Sequence, residues 1–171
     1  MKKRVFLICG WDGSPERNWF PWIKQELDQK GFDAHVPAMP HSATPTIKDW
    51  VSHLSKIVGK LDKETYFIGH SIGCQSILRY LETQKNQIGG ALFVAGWFTL
   101  YPLKTQEEKE IAQPWIDTPI NFKKINSLLP TSIAIFSDND PDVPLENKDF
   151  FKEKIHSKIF IEHHQGHFTE S

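Results

Sequence analysis

Six short apolar runs constrain this chain more than any other feature: residues 5–9 (VFLIC), 32–36 (FDAHV), 66–69 (YFIG), 91–95 (ALFVA), 133–136 (IAIF) and 159–161 (IFI). They are rich in β-branched and aromatic residues, and most are continuous rather than alternating. That is the pattern of strands buried on both faces. Helical stripes lie between them. Asn18 and Pro21 open one, Ile23 and Leu27 give its apolar face, and Gly31 ends it. Thr46 with Asp49 resembles a capping box, and Trp50, Val51, Leu54, Ile57, Val58 and Leu61 follow at helical spacing. Cys74, Ile77, Leu78 and Leu81 form a third stripe, and residues 145–155 a fourth. Strand and helix in alternation predict an α/β fold, with a parallel sheet covered by helices on both faces.

One interval is longer than the rest. Residues 96–130 hold a charged QEEKE patch and the aromatics Trp97, Phe98, Tyr101 and Trp115. In a parallel fold such an excursion sits over the carboxyl ends of the strands, where ligands bind. A short cap or a crossover segment is expected there. Because it must also supply the crossover, little chain remains for a lid. A pocket beneath it should be shallow and open to water.

The 171 residues suffice for one domain, 1–171, and are too few for two. A net charge of −1 argues against an electrostatically driven nucleic-acid or anionic-membrane partner. The opening MKKRVFLICGWDG has a basic start, but its apolar run is too short for a signal peptide and no small-residue cleavage site follows. It reads as a first strand, and the expected compartment is cytoplasmic. No run approaches membrane-spanning length. Cys9 and Cys74 make no disulfide framework and have no metal-type spacing, so two reduced, buried thiols are expected.

Gly69-His70-Ser71-Ile72-Gly73 fits G-x-S-x-G, between a strand pattern and a helix pattern. In a nucleophile elbow the serine sits on a strained strand-to-helix turn that lifts its hydroxyl above the sheet. The glycines are expected to meet each other across that bend. A serine hydroxyl needs a base, and the base needs an acid to orient it. The partners should follow in the order serine, acid, histidine. The run at 133–136 is followed by Asp138, Asp140 and Asp142, and the run at 159–161 by His163, His164 and His167. Both slots are filled in order. Asp138 and Asp142 compete with Asp140 and have an alternative role in turn chemistry around Asn139 and Pro141. His167, after Gly166 and beyond the strand, is favoured over His163 and His164, while His70 is expected to be a packing and hydrogen-bonding neighbour. A zinc site from His163, His164 and His41 has no HExxH or cysteine cluster behind it, so neither metal nor cofactor is expected. The expected oxyanion donors are the N–H groups of Ile72 and Trp11, with Gly10 letting the backbone come close. Trp11, Trp97, Phe98 and Phe168 are the candidate walls of a substrate pocket.

Gly10 and Trp11, the aromatic helix start at Trp19 and Trp22, Met39-Pro40, Trp50, the G-x-S-x-G segment, Asp140-Pro141 and Gly166-His167-Phe168 run the length of the chain. Together they resemble the small α/β-hydrolases of the retinoblastoma-binding-protein-9-like (YdeN-like) serine hydrolase family. The resemblance implies a minimal six-stranded parallel sheet, a triad of Ser71, Asp140 and His167, and carboxylesterase-like cleavage of a small ester, thioester or amide. It singles out Asp140, because the prolines after it match the family's spacing. Two departures stand out. No L-x-C-x-E segment occurs (Leu7 to Trp11 is nearest), so a retinoblastoma-type partner has no support. The sequence also ends four residues after His167, where relatives continue into a helix, which predicts an uncovered sheet face near the last strand and a monomer or homodimer. Two other functions use the same residues or fold: acyl transfer to an acceptor other than water, and a non-catalytic binding module.

Overall fold

In a computed structural model that describes residues 2–169, all six apolar runs become strands. β1 (Arg4–Ile8), β2 (Asp33–His35), β3 (Thr65–His70), β4 (Gly90–Val94), β5 (Ser132–Ser137) and β6 (Lys158–Glu162) form one sheet. Its order is β2-β1-β3-β4-β5-β6, and every neighbouring pair is parallel. The chain leaves β1 towards one edge and β3 towards the other. Loops that diverge in this way open a crevice at the carboxyl ends of the strands.

Alternate residues of β1 feed two cores, as the pleat requires. Phe6 and Ile8 join Phe67, Phe93, Ala134 and Phe136 on one face, while Val5, Leu7 and Cys9 join Ile68 on the other. The first face carries α2 (Ile47–Ile57), α3 (Ile72–Glu82), α4 (Gln106–Asp117), α5 (Phe122–Leu128) and α6 (Asn147–Lys154), through Trp50, Ile77, Trp115, Ile125 and Phe151. Among the described residues the second face has α1 (Phe20–Gln29) alone, through Phe20, Ile23 and Leu27. Helices cover both faces, but unequally. Register sets Ile133 beside Leu92 and Phe160 beside Ile135 on the α1 side, and both Ile133 and Phe160 are exposed there. Both cysteines are free and buried, and burial pushes the Cys9 thiol up to about 12.

Helix starts follow the expected chemistry in part. Pro21 lies in the first turn of α1, and Gly31 beyond its end has φ 87°. Thr46 accepts a hydrogen bond from Asp49 N, so one half of the expected capping box forms. The 96–130 interval differs most from expectation, since it holds two helices. Thr105 and Glu108 form a complete, reciprocal capping box at the start of α4, and Asn121 caps α5. The seven-residue α5 completes the crossover to β5, which frees α4 to reach over the strand ends.

Candidate active site

Ser71 joins β3 to α3 with φ 53° and ψ −124°. A serine pays a steric cost in that region, and surrounding contacts must hold it there. Ser71 N donates to Val94 O at 2.9 Å, and Cys74 N donates to Ser71 O at 3.0 Å. The two glycines do not face each other as the sequence reading expected. A Cβ on Gly69 would lie 2.9 Å from Cys74 Cα, against the first turn of α3. A Cβ on Gly73 would lie 2.7 Å from Cys9 O, with Ile8 O nearer still. Gly69 therefore lets the strand pass the helix, and Gly73 lets the helix pass the end of β1. Gly10 makes a third close approach, since its Cβ would meet His70 Nδ1 at 2.9 Å and Ser71 Cβ at 3.1 Å.

The loops after β5 and β6 bring aspartate and histidine together twice. His167 Nδ1 lies 2.8 Å from Asp140 Oδ2. Asp140 Oδ1 accepts from Asp142 N and Val143 N, both at 2.9 Å, so this carboxylate is fixed at both oxygens. His163 Nδ1 lies 2.6 Å from Asp138 Oδ2, and His164 N donates to Asp138 Oδ1. Hydrogen bonds from His164 N and the His163 ring lower the Asp138 pKa, and the same carboxylate raises that of His163. Of the three aspartates, Asp140 is the one paired with His167. Asp142 lies near both, and one ligand atom from each of Asp140, Asp142 and His167 falls within 4.8 Å of the others. A cation there would have to displace hydrogen bonds that already occupy Asp140 and His167 Nδ1. His41, His163 and His164 form no metal-type cluster among the described residues.

His70 is buried beneath this loop, and its Nε2 lies 2.8 Å from the His167 carbonyl oxygen. Burial first, then the neighbouring His167 ring, pushes its pKa down to about 4, against smaller opposing effects of the carbonyl and of Asp140. Its ring is neutral at pH 7.

One cleft of about 750 Å³ is lined by Ser71, His70 and His167 together. Among the described residues no hydrogen bond joins Ser71 Oγ to the His167 ring, as is common before substrate tightens such contacts. The N–H groups of Ile72 and Trp11 have no backbone carbonyl partner among the described residues. Next to Trp11, Asp12 N and Gly13 N donate to Ser42 O and Gly10 O. Trp11 and Trp97 line the cleft. Phe98 and Phe168 are not among its lining residues. The Phe98 ring packs instead against Phe122, Phe150 and Phe151, and the Phe168 carbonyl accepts from Trp19 Nε1 at 3.0 Å. Leu100, Leu103 and Ile111 also line it, none of which the sequence reading selected. The start of α4 adds Thr105, Glu107 and Glu108 to the same lining. Thr105-x-x-Glu108 was the legible signal for it.

The family model described as serine hydrolase matches residues 5–171. The hydrolase YdeN of Bacillus subtilis (strain 168) is 33% identical over 172 residues, covering 99% of this chain and 88% of that protein. The serine hydrolase RBBP9 of Rattus norvegicus is 26% identical over 154 residues, covering 90% and 79%. The crystal structure of the ydeN gene product from B. subtilis superposes with a TM-score of 0.87 at 29% identity, covering 98% and 88%. Est1E from Butyrivibrio proteoclasticus superposes at 0.75 with 15% identity, covering 99% and 81%, a likeness of fold alone. Among the described residues no helix is long and apolar enough to cross a membrane.

Proposed function

The chain belongs to the serine hydrolase family, and from that premise we propose that it cleaves a small ester, thioester or amide through an acyl-enzyme, with Ser71 as nucleophile, His167 as base and Asp140 as its orienting acid. The observation that carries this reading is the 2.8 Å contact between His167 Nδ1 and Asp140 Oδ2, in a histidine that shares its cleft with Ser71. An acceptor at Nδ1 puts the ring proton there and leaves Nε2 free to take another.

In this mechanism Ser71 Oγ attacks the substrate carbonyl carbon while His167 Nε2 takes the hydroxyl proton. The carbonyl oxygen becomes an oxyanion, and the N–H groups of Ile72 and Trp11 donate to it. Each such donor is worth about 3 kcal/mol in the transition state. The tetrahedral intermediate collapses, the bond to the leaving oxygen, sulfur or nitrogen breaks, and that atom receives the proton from His167. Water then attacks the acyl-serine, giving its proton to His167, and a second collapse releases the acid and returns the proton to Ser71. Asp140 stays ionised and holds the imidazole tautomer throughout. The bend holds the Ser71 backbone at φ 53°, and the contacts around it fix the direction of its hydroxyl for attack. Trp11 and Trp97 are proposed to wall the acyl group, joined by Leu100, Leu103 and Ile111.

A fluorophosphonate probe followed by peptide mapping tests this reading. One label at Ser71, absent from Ser71→Ala, is the expected result. A label elsewhere, or none on folded protein, would remove the hydrolase reading and favour a non-catalytic binding module.

A further inference from the structure

We propose that His70 is a positioning residue, which donates its Nε2 hydrogen to the main-chain carbonyl of His167 and so registers the base against the bend that carries the nucleophile. The inference rests on His167 being the base. A carbonyl oxygen can only accept, so a contact of 2.8 Å assigns the proton to His70 Nε2 and leaves Nδ1 bare. Gly10 packs against the other side of the ring, where a Cβ would lie 2.9 Å from Nδ1. Trp19 and Phe20 hold the ring plane by edge contacts at 6.0 and 6.3 Å between centroids.

The clamp is part of a longer series. Gln165 N donates to Ser137 Oγ at 3.0 Å, and Gly166 N donates to Asn139 Oδ1 at 2.8 Å. His167 is held at its ring by Asp140 and at its carbonyl by His70, and the Phe168 carbonyl by Trp19. The β5 loop thus fixes one side of the histidine segment. His70 and Trp19 fix the other side, and His70 is covalently next to Ser71. A displacement of Ser71 therefore carries the anchor of its base with it. Protonated, the ring would need a partner at Nδ1, where Gly10 stands. Burial, then the charge of the facing His167 ring, keeps it neutral against the weaker opposing pull of the His167 carbonyl and of Asp140.

Four variants decide the matter, assayed with p-nitrophenyl acetate beside fluorophosphonate labelling. His70→Phe keeps a ring for Trp19 and Phe20 but has no donor. Its kcat should fall by ~10- to 100-fold with KM little changed, the effect of a base misplaced by about an ångström. His70→Gln presents an amide N–H near the position of Nε2 and should recover most of that loss. His70→Asn, one bond shorter, should not. Trp19→Phe removes only the second anchor and should lower kcat by a smaller factor. Amide exchange across residues 166–168 should quicken in His70→Phe and Trp19→Phe while exchange of the β3 amides stays slow. Ring-nitrogen NMR of the wild type should show the Nε2–H tautomer at pH 7. A labelled wild type whose His70→Phe variant keeps full kcat, or an Nδ1–H tautomer, would overturn the proposal. If His70→Phe does not fold, equal kcat in His70→Gln and His70→Asn would overturn it as well. A wild type that takes no label fails the parent reading first, an outcome separable from failure of the clamp.

Discussion

Two aspartate–histidine pairs hang from the same two loops, and they differ in nearly everything except chemistry. Asp138 and His163 are closer, at 2.6 Å, than Asp140 and His167, at 2.8 Å. Their side chains are 30% and 79% exposed, whereas those of Asp140 and His167 are 3% and 13% exposed. Asp138 accepts one further hydrogen bond, from His164 N, and Asp140 two, from Asp142 N and Val143 N. His167 lines the cleft with Ser71, and His163 does not. A short contact is therefore a poor guide to which pair the proposed chemistry would use. Burial beside a strained serine distinguishes one from the other, because low dielectric strengthens a fixed acid–base contact and water weakens it.

The most forceful way to break this comparison is to neutralise each acid in turn. Asp140→Asn keeps the shape of the side chain but accepts at a single oxygen, so it competes for the wrong tautomer of His167. Its kcat should fall by about 10⁴-fold on an activated ester. Asp138→Asn, at the pair in solvent, should leave kcat within about threefold, the scale of surface substitutions. Steady-state kinetics of both proteins decides it. If Asp138→Asn is the crippling change, the acid has been assigned to the wrong pair while the serine chemistry stands.

How far the site could be read from sequence divides along the same line. The six runs became six strands, and Ser71 fell at a strand–helix junction, because both signals are local. The aspartates after β5 and the histidines after β6 were legible for the same reason. Choosing Asp140 over Asp138 was harder. The two sit two residues apart in one loop, and only the turn after Asp140, which brings the N–H groups of Asp142 and Val143 onto its carboxylate, separates them. The role of Gly73 was hidden because its neighbour is the end of β1, some 64 residues away. The helix α4 was obscured by its charged start and by Pro114, tolerated in a last turn where Trp115 is buried and Arg79 reaches the Trp115 and Thr118 carbonyls. Phe98 looked like a pocket wall because aromatics near strand ends often are. Contacts with three other rings claimed it instead.

A smaller effect sharpens the comparison from the substrate's side. If the cleft rather than the ion pair makes the site, its wall should sort acyl chains without touching either pair. Leu103 and Ile111 are half-buried and line the cleft, one just before α4 and the other within it. Each methylene they cover is worth about 0.8 kcal/mol, or ~4-fold in kcat/KM. Activity should therefore climb beyond butyryl to medium-length esters rather than level off at once. Leu103→Ala and Ile111→Ala should flatten that climb while acetyl ester turnover stays within about twofold, as a surface change would. Identical acyl profiles in wild type and both variants would mean the chain lies elsewhere.

The smallest expected effect concerns the exposed pair and pH. Hydrogen bonding to Asp138, then its charge, raises the His163 pKa above the ordinary 6.5. A raised histidine binds its proton more tightly folded than unfolded, so its contribution is fully present below pH 6.5 and is lost as pH rises through the folded value. Asp138 behaves oppositely. Its pKa is lowered from 3.8, so its contribution is present above that value and is lost as pH falls through the folded one. Both members are charged, and the pair stabilises, between these limits. His163→Gln should therefore melt slightly below wild type in mildly acidic buffer, and the gap should close as pH is raised past neutrality. Salt should shrink it, since screening acts fully on a pair this exposed. Turnover at pH 7.5 should not change. Thermal melts from pH 4.5 to 8.5 at two salt concentrations give the measurement. A gap that widens towards alkaline pH, or one accompanied by loss of kcat, would mean that His163 acts as a neutral partner of the site and that the two pairs are less separate than their burial indicates.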